Sequence, residues 1–134
     1  MKHIIIVFVI SMSLQTVTAQ VPDQMPVYPG CEKAEAKMPC FKEKLLNFIA
    51  ENFNSDLLQK IKGQSEVQMM VSFVIDTNGK PVQVKISSAY EFLNNEMQKV
   101  INRLPQLVPA YSQGIAIRMQ YELPVVFEVE ESTN

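Results

Sequence analysis

Val67-Gln68-Met69-Met70-Val71-Ser72-Phe73-Val74-Ile75-Asp76-Thr77-Asn78-Gly79-Lys80 is the stretch on which the fold turns. The odd positions from Val67 to Ile75 are all large and apolar, with Gln68, Met70, Ser72 and Val74 between them. A period of two marks a strand with its odd face in a core. Thr77-Asn78-Gly79-Lys80 then reads as a hairpin, because Asn and Gly tolerate the positive φ that tight turns need. Val82, Val84 and Ile86 alternate with Gln83, Lys85 and Ser87 as the return strand, and Pro81 suits only its first residue or an edge.

Working outward from this hairpin, Leu93, Met97, Val100, Ile101 and Leu104 restore a helical period. Asn94 is the expected N-cap, and Pro105 stops the helix near Leu104. After a loop with Pro109 and Gly114, Ile115, Ile117, Met119, Tyr121, Leu123, Val125, Phe127 and Val129 keep one parity. They predict a single long strand with this set inward and Ala116, Arg118, Gln120, Glu122 and Pro124 outward. Upstream, Phe41, Leu45, Phe48, Ile49 and Phe53 predict an amphipathic helix from about Cys40 to Phe53. Ser55 is read as the cap of a short turn through Leu57, Leu58 and Ile61, ended by Gly63 in a left-handed conformation.

Residues 20–39 contain Pro22, Pro26, Pro29, Gly30 and Pro39, too many breakers for regular structure, and read as an extended arm before a domain spanning 40–134. Residues 1–19 read as a signal peptide: Lys2, an apolar run from Ile4 to Ile10, then Val17-Thr18-Ala19, with cleavage between Ala19 and Gln20. The alternative is an uncleaved anchor, but at about 1.5 Å per residue the run from Ile4 to Leu14 covers only about 16 Å of a hydrocarbon core near 30 Å. Export places the chain in the periplasm, where Cys31 and Cys40 are most simply read as one disulfide, with free thiols or redox chemistry as the other readings. Closing so short a loop contributes about 2 to 3 kcal/mol on the chain-entropy model.

The whole chain carries 12 basic and 14 acidic side chains, a formal charge of −2 that becomes −3 without Lys2. That balance argues against nucleic acid and against an anionic membrane surface as partners. The one histidine, His3, lies in the expected signal, so Ser-His and Cys-His nucleophile pairs and imidazole metal ligation are not expected of the mature protein. Asp23, Asp56 and Asp76 pair with no second carboxylate on a recognisable catalytic element, and the four glycines are isolated rather than gathered into a phosphate loop. No enzyme activity, cofactor or metal is therefore expected. Met69, Met97 and Met119 sit in phase with apolar neighbours as core filler.

The order helix, short helix, strand, hairpin, strand, helix, long strand predicts an α+β domain: a small three-stranded antiparallel sheet packed against helices. A right-handed crossover by the second helix makes the first hairpin strand central and puts the last strand at an edge. A long open edge exposes unpaired N–H and C=O groups and suits a partner that adds a strand.

This ordered set resembles the C-terminal domain of TonB, the periplasmic protein that couples inner-membrane energy to outer-membrane transporters. The resemblance runs from about Leu57 to Phe127. It is carried by Ile61 and Gly63, Val67 to Lys80, Val84-Lys85-Ile86, Leu93-Asn94 with Glu96, Leu104-Pro105, Leu107 with Pro109, and Gly114 to Phe127 with its Leu123-Pro124-Val125. It departs from the family at Ser55-Asp56, where a Tyr-Pro pair is common, and at Val108, where an aromatic is usual. The resemblance implies that the last strand pairs with a short extended segment of an outer-membrane TonB-dependent receptor or another envelope protein. Transferred to this chain, the docking edge is Ile115, Ala116, Ile117, Arg118, Met119, Gln120, Tyr121 and Glu122. With the signal removed, neither stable membrane insertion nor a force-transducing span is expected, so the implied role is binding rather than energy coupling. The alternative is a homodimer formed through the same strand.

Overall fold

A computed structural model describes residues 21–130; the expected signal and its cleavage point at Ala19-Gln20 lie outside them. Two helices and a three-stranded antiparallel sheet form the α+β domain expected from the pattern. We label the helices α1 (Lys37–Asn52) and α2 (Glu91–Asn102), and the sheet strands β1 (Glu66–Ile75), β2 (Pro81–Ser87) and, last in the chain, β5 (Met119–Glu128). The sheet order is β2-β1-β5, so β1 is central and the last strand is at an edge. A short 3-10 helix, Ser55–Lys60, connects α1 to the sheet.

Val67, Met69, Val71, Phe73 and Ile75 are all buried against Phe41, Leu45 and Ile49 of α1 and Leu93, Met97, Val100 and Ile101 of α2. Fully burying side chains of this size contributes about 1.5 to 3 kcal/mol each. α1 is tied to β5 by aromatic pairs: Phe41 lies 4.9 Å from Tyr121, and Phe53 stacks on Phe127 at 4.6 Å between ring centroids.

The β1-β2 turn uses one positive-φ residue, not two. Gly79 (φ 79°) takes the left-handed position, its N–H donating to the Asp76 carbonyl, while the Asp76 N–H donates to the Lys80 carbonyl at 2.9 Å. Asp76 Oδ1 also accepts from the N–H groups of Asn78 and Lys80. This tip is held by the loop beyond α2, since Leu107 N–H donates to the Gly79 carbonyl at 3.1 Å. Side-chain volume at Gly79 is forbidden: a Cβ there would stand 1.9 Å from the Leu107 carbonyl oxygen.

Local structure departs from expectation at several points, each for a local reason. α1 begins at Lys37, earlier than Cys40, because Pro39 falls in the first turn, where its missing N–H is not needed. Asn54 rather than Ser55 caps the 3-10 helix, accepting from Asp56 N–H. α2 begins at Glu91, so Asn94 lies inside its first turn rather than at the cap, and there it pairs with the Ser88 hydroxyl.

The largest difference is in the last strand, which is not continuous. Ala110–Ser112 (β3) and Ile115–Ile117 (β4) form a separate two-stranded hairpin. Gln113 and Gly114, at φ 51° and 77°, make its two-residue turn. The chain then changes sheets at Arg118 before β5 starts. Ile115, expected inward, is 69% exposed because it flanks this turn, away from the core.

The arm is bound to the domain rather than free of it. Val27 exchanges two backbone hydrogen bonds with Val108, and Gln24 exchanges two with Tyr111. Cys31 and Cys40 are joined in a disulfide with 5.9 Å between their Cα atoms, which links the arm to the first turn of α1.

Candidate functional site: the free edge of the last strand

β5 pairs with β1 over its whole length, from Met119 opposite Ile75 to Glu128 opposite Glu66. Which backbone groups remain free follows from two flanking bonds. Val129 N–H donates to the Ser65 carbonyl, continuing the β1-β5 register, whereas Asp76 N–H turns toward β2 through the Lys80 carbonyl. Alternate residues of an antiparallel strand bond to opposite neighbours. Odd residues of β1 and β5 therefore bond to each other. Gln120, Glu122, Pro124, Val126 and Glu128 direct their backbone groups at the outer edge, where no strand pairs among the described residues.

Pro124 supports the same phase from chemistry. Proline has no N–H to give, and inside a sheet it is tolerated where that position faces solvent. The edge thus offers five carbonyls and, with Pro124 silent, four donors. The side chains of these residues stand on the face away from the helices, where Gln120 Nε2 donates to Ser72 Oγ at 3.3 Å and to Glu122 Oε1 at 3.2 Å.

The expected docking residues fall on two elements. Ile115, Ala116 and Ile117 lie in β4, paired with β3 by Ile115 opposite Ser112 and Ile117 opposite Ala110. Arg118 is the link between sheets, and its charge, behind the backbone donors of Lys80 and Asn78 and the charge of Lys80, helps hold the Asp76 carboxyl below its ordinary range. Met119, Gln120, Tyr121 and Glu122 lie on β5. Of these, Met119 and Tyr121 spend their backbone groups on β1, and Tyr121 packs its ring against Phe41 and Phe73, where burial pushes its phenol above the usual value. Gln120 and Glu122 have the free backbone. The free edge also runs on through Val126 and Glu128, beyond the expected range; the parity of Pro124 was the sequence signal for that continuation.

Two apolar surfaces border this edge. On the helix side, Leu46 and Ala50 of α1 with Phe53, Val125 and Phe127 line a groove. On the outer face, Met70 lies opposite Pro124, and Val126 beside them is 56% exposed. Among the described residues no three His, Cys, Asp or Glu side chains gather where they could hold a metal ion. No helix among them is long and apolar enough to cross a membrane.

The described residues thus form a small α+β domain whose last strand is a long edge with free main-chain groups. The sequence model of the family described as "Gram-negative bacterial TonB protein C-terminal" matches residues 59–129. The chain belongs to this family, a non-enzymatic protein-interaction domain of the Gram-negative periplasm that engages outer-membrane receptors. No curated protein matches the chain. The matched residues include the whole sheet and α2; the arm and α1 lie before them.

Proposed function

We propose that this protein is an exported, periplasmic binding module that captures an extended segment of an outer-membrane receptor or another envelope protein by strand addition to β5. The observation that carries this reading is the run of five edge-facing positions from Gln120 to Glu128, with Gln120 and Glu122 shared with the segment the family resemblance points to. A partner strand satisfies backbone groups that otherwise depend on water, and its alternate side chains meet the surfaces on either side of the edge. The disulfide fits the oxidising compartment that export implies. It ties the arm to α1, and both pack against the matched residues, so the module is larger than the family match alone.

Gln120→Pro tests the reading cleanly. Its N–H faces outward in the same phase as Pro124, so the substitution removes an edge donor and leaves the β1-β5 ladder intact. Binding to peptides tiled across the host's outer-membrane proteins is expected to weaken by about tenfold or more, equivalent to about 1.4 kcal/mol, within the range for a lost hydrogen bond plus local blockage of the edge. Unchanged binding by a variant with native circular dichroism would show that the edge is not the docking site.

A further inference from the structure

We propose that α1, which lies before the family match, is the second wall of the docking edge and selects a partner whose side chains alternate aliphatic and basic. The inference rests on strand addition at β5 and adds to it the chemistry of the captured segment. In a strand laid along β5, successive side chains point to opposite faces of the extended sheet. One set therefore enters the groove between α1 and β5. There it meets Leu46, which is 36% exposed, exposed Ala50, and the rims of Phe53 and Phe127. Ser55 is the one polar residue of this lining and no charged residue belongs to it, so the groove suits Val, Ile or Leu.

The other set of side chains stands over the outer face, beside Glu122 and Glu128. Glu128 is directly opposite Glu66 across the β1-β5 ladder, and both are exposed. Like charges placed directly opposite each other are destabilising in a sheet, and Glu130 follows two residues on. Lys or Arg on the partner relieves that repulsion and matches the acidic end of the edge. The occupant is thus an extended peptide, fixed as such by the free main-chain groups of β5, aliphatic toward α1 and basic on the outer face.

The test uses the purified full chain and nine-residue fluorescent peptides with capped ends. One alternates Lys and Val; the comparators alternate Lys with Ser and Glu with Val. The Lys-Val peptide is expected to bind about tenfold or more tighter than either comparator, a difference of about 1.4 kcal/mol. The double variant Leu46→Gln, Ala50→Gln keeps good helix formers on a partly exposed face and should erase the advantage of Val over Ser. Glu128→Lys should reverse the preference between Lys-Val and Glu-Val. Equal binding of Lys-Val and Lys-Ser, or an advantage untouched by the α1 variant, overturns the selective role of α1.

The underlying edge reading is tested separately by N-methylating alternate peptide amides in each phase. If one phase of methylation, or Gln120→Pro, abolishes binding while the α1 variant changes nothing, strand addition stands and the inference about α1 falls. If neither methylation nor Gln120→Pro matters, or if no peptide binds at millimolar concentration, both fall.

Discussion

β2 and β5 are the two edges of one sheet, and they differ in how far they are closed to further strands. β2 opens with Pro81, which has no donor. Its register against β1 then shifts between Ser72 and Val74, where Gln83 stands at φ 51°. That bulge kinks the strand and breaks the regular alternation of outward groups, and Lys85 adds a charge nearby. These are the devices by which sheets discourage an added strand. β5 has ten residues in unbroken register with β1, with no bulge, and Pro124 is the one edge position without a donor. The edge opposite the crossover helix has been left available while the other has been shut. The contrast supports the proposal that a partner strand is accommodated on the β5 side.

The supports of the two edges differ as well. The β2 side is anchored at the hairpin tip by backbone bonds to the loop at Leu107, and the β5 side is buttressed by aromatic rings from α1. Phe41→Ala probes the buttress and carries the largest expected effect. It removes a fully buried ring that touches Tyr28 and Tyr121, so about 3 to 5 kcal/mol should be lost in urea denaturation. Hydrogen exchange should open β5 before β2 in this variant. Opening β2 first would contradict the assignment of α1 as the support of the last strand.

Gly79→Ala probes the other anchor. The added methyl collides with backbone rather than with a yielding side chain, and Ala is strained at φ 79°. About 2 to 3 kcal/mol is expected, the upper part of the strain range for one residue, with the loss of protection concentrated in the β1-β2 hairpin. Pro124→Val then sharpens the contrast in the opposite sense. It restores the missing donor at the middle of the open edge, with a stability change within about 0.5 kcal/mol for an exposed site. Light scattering should show stronger concentration-dependent self-association than in the unaltered protein, because two β5 edges pairing about their centres would no longer each miss a hydrogen bond at Pro124.

Sequence periodicity was enough for the sheet and its order. Each of β1 and α2 carries an unbroken apolar phase, and a right-handed crossover leaves the last strand one place to go. What periodicity could not show was the break at Arg118. Ile115 and Ile117 share the parity of Met119, and the change of sheets alters hydrogen-bond partners without altering that alternation. Gln113-Gly114 was the signal for the extra hairpin, a weak one because Gln is an unusual residue for a left-handed turn. The outer limits of the edge were similarly half legible. Pro124 fixes the phase of the free groups from composition alone, but the groove beside them needs Leu46 and Ala50 brought up from a helix about 75 residues earlier in the chain. No local pattern encodes that meeting.

The smallest effect expected is the pH response of Asp76, at the tip that joins the closed edge to the centre of the sheet. Its carboxylate accepts hydrogen bonds from Lys80 and Asn78, and Lys80 and Arg118 add positive charge, so its pKa in the folded protein lies below the ordinary 3.8. A carboxyl depressed on folding contributes stability that is fully present above its unfolded pKa and is lost as pH falls through the folded value. Stability should therefore decline between about pH 4 and the lower folded pKa, by a small amount because the group is exposed to solvent and screened. Asp76→Asn keeps one acceptor oxygen and removes the charge. In that variant the share of the acid-range slope due to this residue should vanish, while the slope above pH 5 is unchanged. If urea midpoints followed the same curve in both proteins from pH 5 down to pH 2.5, the charge of the Asp76 carboxylate would contribute nothing to closing the hairpin. The restraint of that end would then fall to the backbone bonds of Asp76, Gly79 and Leu107 and to the Gln106 side chain on the Asn78 carbonyl.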